Sequence, residues 1–264
     1  MEQIQYNKDV QTSQKLKKNL FIFDFDHTII EDNSDTTIFD LIDDKEKIKQ
    51  MYKQVPDKSW TLFVNRVLDY MFTDLKIDAT RLMEFQQSNR ILLTQGMEQL
   101  LKYITDDQGS NDAIIVSDSN TYYIQWILQK FNINNIFNGI YTNQGYIDEN
   151  KLLKITPYHQ HMCQECPSNL CKQQVVQEYL ENQQKNHQTD YENIYYIGDG
   201  GNDFCPLKLL QNKPGSVFVR KGFALEKKIP QIKEYLNEEQ ILVWQDGLEI
   251  LEHIQQKQAK LEKQ

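Results

Sequence analysis

The chain has 264 residues, enough for one domain with an insertion or for two small domains. Hydrophobic residues at 39% and charged residues at 25% describe a globular protein with an ample core, not a disordered chain. The formal net charge of −9 disfavours nucleic acid and anionic membrane as partners, and it leaves any anionic substrate in need of a local cation.

Residues 1–18 are polar and lack the apolar stretch of a secretory signal, so a flexible leader on a cytoplasmic protein is expected. No run approaches the roughly 20 apolar residues that cross a bilayer. The first strand is expected at Leu20, Phe21, Ile22 and Phe23, a short apolar run closed by acidic residues. From residue 39 to 93 the pattern changes. Ile48, Met51 and Tyr52, then Leu62, Phe63, Val67 and Tyr70, have helical spacing, and Pro56 separates the two groups. This reads as a helical insertion after the first strand. Met97, Leu100, Leu101 and Ile104 open the next helix. Residues 113–116, 194–197, 216–219 and 241–244 are further strand-like runs, with helical patterns at 122–131 and 175–180 between them. The tail after Leu251, rich in Gln and Lys, is expected to be a fraying helix end. Strands alternating with helices imply right-handed crossovers and a Rossmann-like parallel sheet flanked by helices, an α/β fold. The expected division is a core of residues 19–38 and 94–264 with a small helical cap at 39–93.

In such a sheet, ligands bind beyond the carboxyl ends of the strands. Asp24-Phe25-Asp26-His27-Thr28 follows the first strand, Ser117-Asp118-Ser119-Asn120 the second, and Gly198-Asp199-Gly200-Gly201-Asn202-Asp203 the third. Any one of these is an ordinary turn composition. Together they gather carboxylates suited to a hard cation such as Mg²⁺, which would offset the repulsion between an anionic substrate and an anionic nucleophile. One carboxylate can then accept a phosphoryl group while a second moves protons. Ser117 can bind phosphate oxygens, and Lys172 supplies a compact positive charge. Arg220 and Lys221, after the fourth run, read as surface residues, with an added positive field near the phosphate as the alternative.

These residues resemble the motifs of the haloacid dehalogenase (HAD) superfamily of phosphatases. The resemblance implies Asp24 as nucleophile, Asp26 as general acid and base, and Lys172 and Ser117 as phosphate ligands. It also implies Mg²⁺ held by Asp24, the Asp26 carbonyl and Asp199, with Asp203 ligating or orienting. The segments around Asp24, Ser117, Lys172 and Asp199 are similar to a narrower branch, the phosphoethanolamine/phosphocholine phosphatases, which includes a relative described as a pyridoxal phosphate phosphatase. His27 departs from some members there. The branch implies that Asp35 and Asp118 face a cationic head group, and N-capping of the adjacent helices is the alternative for both. The implied partner is a small phosphorylated metabolite, phosphoethanolamine or phosphocholine first and pyridoxal phosphate or pyrophosphate next. A non-catalytic phosphate-binding protein is the reading from outside this class, and the presence of Asp24 speaks against it.

His159, His161, Cys163, Cys166 and Cys171 crowd into a short segment that ends at Lys172. Their density suits a structural Zn²⁺. Loop histidines with small buried cysteines are the alternative, and a redox pair is a third. Cys205 reads as packed, and His187 and His253 as surface residues.

Overall fold

A computed structural model describes residues 16–261, except 57, 58, 89 and 108. The expected leader lies, up to residue 15, outside the described residues. Strand β1 (Leu16–Phe23) is followed by four helices: α1 (Ser34–Thr37), α2 (Lys45–Lys53), α3 (Trp60–Thr73) and α4 (Ala79–Gln86). Then come α5 (Met97–Asp106), β2 (Asn111–Asn120), α6 (Thr121–Lys130), β3 (Gly139–Ile147) and β4 (Leu153–Thr156). The second half runs α7 (Lys172–His187), β5 (Thr189–Gly198), α8 (Phe204–Leu207), β6 (Gly215–Arg220), α9 (Ile229–Ile232), β7 (Ile241–Trp244) and α10 (Gly247–Leu261).

The described strands form one seven-stranded sheet in the order β4-β3-β2-β1-β5-β6-β7. All neighbours are parallel except β3 and β4, which are antiparallel. The central strands are apolar at successive positions because both faces are covered. Phe21, Phe23, Ile115, Ile197 and Phe218 pack with Leu100, Ile124 and Ile250 on one side. Leu20, Ile22, Val116, Tyr196 and Val219 pack with Val176, Leu207 and Ile232 on the other. This alternation by single residues follows from the two-residue repeat of a strand.

The hairpin of β3 and β4 has no counterpart in the sequence reading. Its strands carry Thr142, Asn143 and Gln144 or are only four residues long, so they present no apolar run. They serve the insertion instead. Leu153 and Ile155 join Met51, Phe63, Val67 and Leu82 in a third core cluster, together with Tyr123 and Trp126 of α6. Asn65 of α3 donates to the Ile155 carbonyl at 2.6 Å and accepts from its N–H at 2.8 Å, which closes part of an edge strand that would otherwise expose pairing groups. The tail differs too: α10 runs on to Leu261, held by Tyr103 Oη donating to Gln258 at 2.7 Å and Lys257 Nζ donating to the Gly215 carbonyl at 2.9 Å. No helix among the described residues is long and apolar enough to cross a membrane.

Candidate active site

Phe23 is level with Ile115 on one side and Ile197 on the other, and Val219 with Gly198. The acidic segments therefore leave the sheet at one end. Asp24 stays tied to the neighbouring strand through its N–H, which donates to the Ile197 carbonyl at 2.9 Å. Beyond it the chain turns sharply, with His27 left-handed at φ 52°. That turn is secured by Arg220, whose guanidinium donates to the His27 carbonyl and to Glu31 at 2.6 Å. Arg220 is 6% exposed, so the surface role read for it is wrong, whereas Lys221 is exposed as expected. The reason is the partner: a carbonyl on the left-handed turn needs a buried donor, and the end of β6 supplies one.

The ladder between β2 and β3 breaks between Val116 and Asn120. There Asn143 replaces backbone pairing, donating from Nδ2 to the carbonyls of Asp118 at 2.6 Å and Ser119 at 3.0 Å. Ser117 and Asp118 leave the regular strand at this break. Lys172 is the first residue of α7. Its Nζ lies 2.8 Å from Asp24 Oδ2 and 2.7 Å from Asp203 Oδ1.

The environment of Asp203 is fully specified. Oδ1 accepts from Lys172 and from Tyr196 Oη at 2.8 Å, and Oδ2 accepts from the N–H groups of Asp199 at 3.1 Å and Gly200 at 2.8 Å. A carboxylate has about four lone-pair sites, so this one is saturated. A Cβ on Gly198 would sit 2.6 Å from Asp203 Oδ2, which is why the strand ends in glycine. Asp24 and Asp199 retain free acceptor capacity toward a cavity of about 340 Å³, which Asp26, Asn33, Asp118 and Asn202 also line.

Carboxylate oxygens of Asp24, Asp199 and Asp203 lie within 4.8 Å of one another, and all three residues are buried. Lys172 is the ammonium that offsets them. Burial pushes Lys172 down, but Asp203, Asp24 and Asp118 outweigh it and hold it above its usual value, so it stays charged. One ammonium does not neutralise the group. Burial and then Asp203 push Asp24 well above the usual carboxylate range despite Lys172, and burial and Asp203 push Asp199 up to about 7. Oxygen donors carrying this uncompensated charge fit a hard divalent cation.

Asp26 accepts from the Ser34 N–H at 2.8 Å. Burial, then Asp35, raises it well above the usual range, which outweighs Ser34. A carboxyl so raised holds its proton to higher pH than an ordinary carboxyl.

The structure removes the capping alternative for Asp35 and Asp118. Asn33 caps α1 by accepting from Thr36 N–H at 2.9 Å, and Asn120 caps α6 by accepting from Tyr122 and Tyr123. Asp118 instead lines the cavity and accepts from Asn202 Nδ2 at 3.1 Å. Asp35 lies behind it, accepting from Trp60 Nε1 at 2.8 Å and Asn120 Nδ2 at 3.3 Å. Burial lifts Asp35 from 3.8 to about 7; Trp60 opposes this and Asp118 adds to it. In the unfolded chain the group ionises near its ordinary value, so between about pH 4 and pH 7 the folded state holds the extra proton. Stability must then fall as pH rises through that window. Without divalent cations, Tm is expected to drop by roughly 5 °C or more from pH 5 to pH 8, and Asp35→Asn is expected to flatten part of that slope. Thermal unfolding across pH checks it, and equal slopes in the two proteins would refute the assignment to Asp35.

The His and Cys segment is arranged differently from its sequence reading. His159 Nε2 accepts from the Cys171 N–H at 2.9 Å. His161 uses both nitrogens, toward the Pro167 carbonyl at 2.8 Å and the Cys163 N–H at 3.2 Å. Neither ring joins the thiols of Cys163, Cys166 and Cys171, whereas Cys205 does. His253 is also corrected: it is half-buried against Phe218, 3.2 Å from Ser216 Oγ, while His187 is exposed.

The sequence pattern of the family described as Putative Phosphatase matches residues 19–258. The chain belongs to this phosphatase family. Pyridoxal phosphate phosphatase PHOSPHO2 of Mus musculus is 37% identical over 240 residues, covering 90% of this chain and 98% of that protein. The phosphoethanolamine/phosphocholine phosphatase of Homo sapiens is 29% identical over 245 residues, covering 90% and 88%. Among solved structures, a phospho-aspartyl intermediate analogue of phosphoserine phosphatase superposes with a TM-score of 0.58 at 20% identity, covering 90% of this chain and 99% of that one, which speaks to the fold. This member of the family is a phosphoric monoester hydrolase with a HAD-like core. Sequence reasoning gave no role to Asn202 or Tyr196 and set Arg220 on the surface. Asn202 stood inside a motif already in view and Tyr196 meets Asp203 on the loop after its own strand, but Arg220 reaches the His27 carbonyl only through strand register.

Proposed function

We propose that this phosphatase hydrolyses small phosphomonoesters through an aspartyl-phosphate on Asp24. The observation that carries this reading is the buried Lys172 ammonium bridging Asp24 and Asp203 at the end of the sheet, with Asp26 beside them. Asp24 and Asp199, with the Asp26 carbonyl, are the groups suited to hold Mg²⁺, which when bound supplies charge that offsets the phosphate and polarises it. An oxygen of Asp24 attacks phosphorus as the ester P–O bond breaks, and Asp26 gives its proton to the departing alkoxide. Asp26, now a carboxylate, takes a proton from water. That water oxygen bonds to phosphorus, the bond to Asp24 breaks, and inorganic phosphate leaves. Lys172 and Ser117 hold phosphoryl oxygens, and Asp203 keeps Lys172 in place. The helices at 39–93 act as a cap that limits the site to small substrates.

The reading of the substrate has two members. Asp118 on the cavity wall favours a cationic alcohol, as in phosphoethanolamine. The higher identity to a protein named for pyridoxal phosphate makes that ester at least its equal. Comparing kcat/KM for phosphoethanolamine, phosphocholine and pyridoxal phosphate with Mg²⁺ ranks them. Asp118→Asn is expected to lower kcat/KM for phosphoethanolamine by about 10- to 100-fold relative to a neutral phosphate ester. An unchanged ratio would remove the head-group role from Asp118.

A further inference from the structure

We propose that Cys163, Cys166, Cys171 and Cys205 hold a structural Zn²⁺ as four thiolates, with neither His159 nor His161 among the ligands. The four sulfur atoms all lie within 4.8 Å of one another. Cys163 and Cys205 approach to 3.7 Å between sulfurs, as do Cys166 and Cys171. A tetrahedral ion with Zn–S bonds of about 2.3 Å places its sulfurs about 3.8 Å apart, so both pairs already stand at the edge length of that tetrahedron. The set contains all the cysteines of the chain, and all four thiols are free.

A second observation points the same way. Backbone N–H groups of Glu165 and Cys166 are directed at the Cys163 sulfur, and that of Gln174 at the Cys171 sulfur. Such donors stabilise a thiolate more than a thiol. On binding, each thiol releases one proton to solvent and contributes one sulfur lone pair. The side-chain amide of Gln173, now accepting from the Cys205 thiol at 2.9 Å, turns to donate its N–H to the thiolate.

The histidines have another task. His159 accepts from the N–H of Cys171 and His161 from that of Cys163, so each ring fixes the backbone at a proposed ligand. Soft sulfur in a tetrahedral set selects zinc over Mg²⁺, so the two metal sites do not compete for one ion. With no fifth position the centre is closed and structural. It would tie the loop entering α7 to α8, the segments that precede Lys172 and follow Asp203 in the chain.

The test is metal analysis of the full-length protein purified without chelator or added zinc. About one zinc per chain is expected, released in step with modification of the thiols by a mercurial reagent. His159→Ala and His161→Ala should keep that zinc, while Cys163→Ser and Cys205→Ser should lose at least about nine-tenths of it. Wild-type protein containing no zinc, or an equivalent of iron in its place, would overturn the proposal even if the variants fail to fold. So would zinc that disappears with either histidine while that variant keeps its fold, or an intact mass showing the cysteines paired as disulfides.

Discussion

Asp24→Asn is expected to lower kcat by on the order of 10⁴-fold or more while raising Tm in the absence of Mg²⁺. The first effect follows from chemistry: an amide oxygen is a poor nucleophile toward phosphorus and makes a poor leaving group from it. The second follows from burial. Asp24 is pushed well above the usual carboxylate range by desolvation and by Asp203, so its ionised form destabilises the metal-free fold at neutral pH. Asn keeps an acceptor for the Phe25 N–H, now bonded at 2.7 Å, and Lys172 keeps Asp203. Phosphate release and thermal unfolding read the two effects independently. Activity within tenfold of wild type would end the case for Asp24 as nucleophile, whereas a fall in Tm would end only the electrostatic account.

Lys172→Met carries the larger cost to the fold. The stem remains, but the buried carboxylates of Asp24 and Asp203 lose their ammonium. Breaking a buried pair from one side costs about 3–5 kcal/mol, and turnover should fall to background together with it. The sign of the pH dependence is fixed by the carboxylates left behind. The folded-state pKa of Asp24, already raised, rises further, so the loss is smaller at pH 5.5 than at pH 8, where Asp24 must ionise unpaired. Adding Mg²⁺ should recover part of the stability and none of the turnover. The double variant with Asp24→Asn should be less destabilised than the sum of the two. Urea unfolding at both pH values measures this, and a loss below about 1 kcal/mol at pH 8 would contradict a charged, buried Lys172.

How much of this was legible depended on the range of the determinant. β1, β2, β5, β6 and β7 announce themselves because a strand covered on both faces must be apolar at successive positions, as at Leu20 to Phe23. β3 and β4 do not, because one edge of the sheet is stabilised by side-chain amides such as Asn65 and Asn143 that look like loop residues in a sequence. The acidic clusters at Asp24, Asp118 and Asp199 were visible as local strings, and strand register then carried them to one end. The alternative roles of Asp35 and Asp118 turned on neighbours of the same chemistry. Asn33 and Asn120 take the caps, and nothing in a one-dimensional pattern ranks an Asn against a nearby Asp for that task. Arg220 was misjudged because its partner, the His27 carbonyl, is distant in sequence and meets it only once the sheet has formed.

The Ile30–Leu93 bridge has a consequence for how the chain tolerates change. Glu31 N–H donates to the Leu92 carbonyl and Thr94 N–H to the Ile29 carbonyl, each at 3.0 Å, so the helical insertion leaves and rejoins the core through a single two-stranded neck. The entropy of closing the intervening loop depends only weakly on its length once its ends are held together. Material can thus be exchanged beyond the neck without disturbing the register that aligns Asp24 with Gly198. On the proposed reading the neck makes substrate choice a replaceable part, because selection can rebuild residues 39–93 while Ser34, which holds Asp26, and the phosphoryl-transfer chemistry are inherited unchanged.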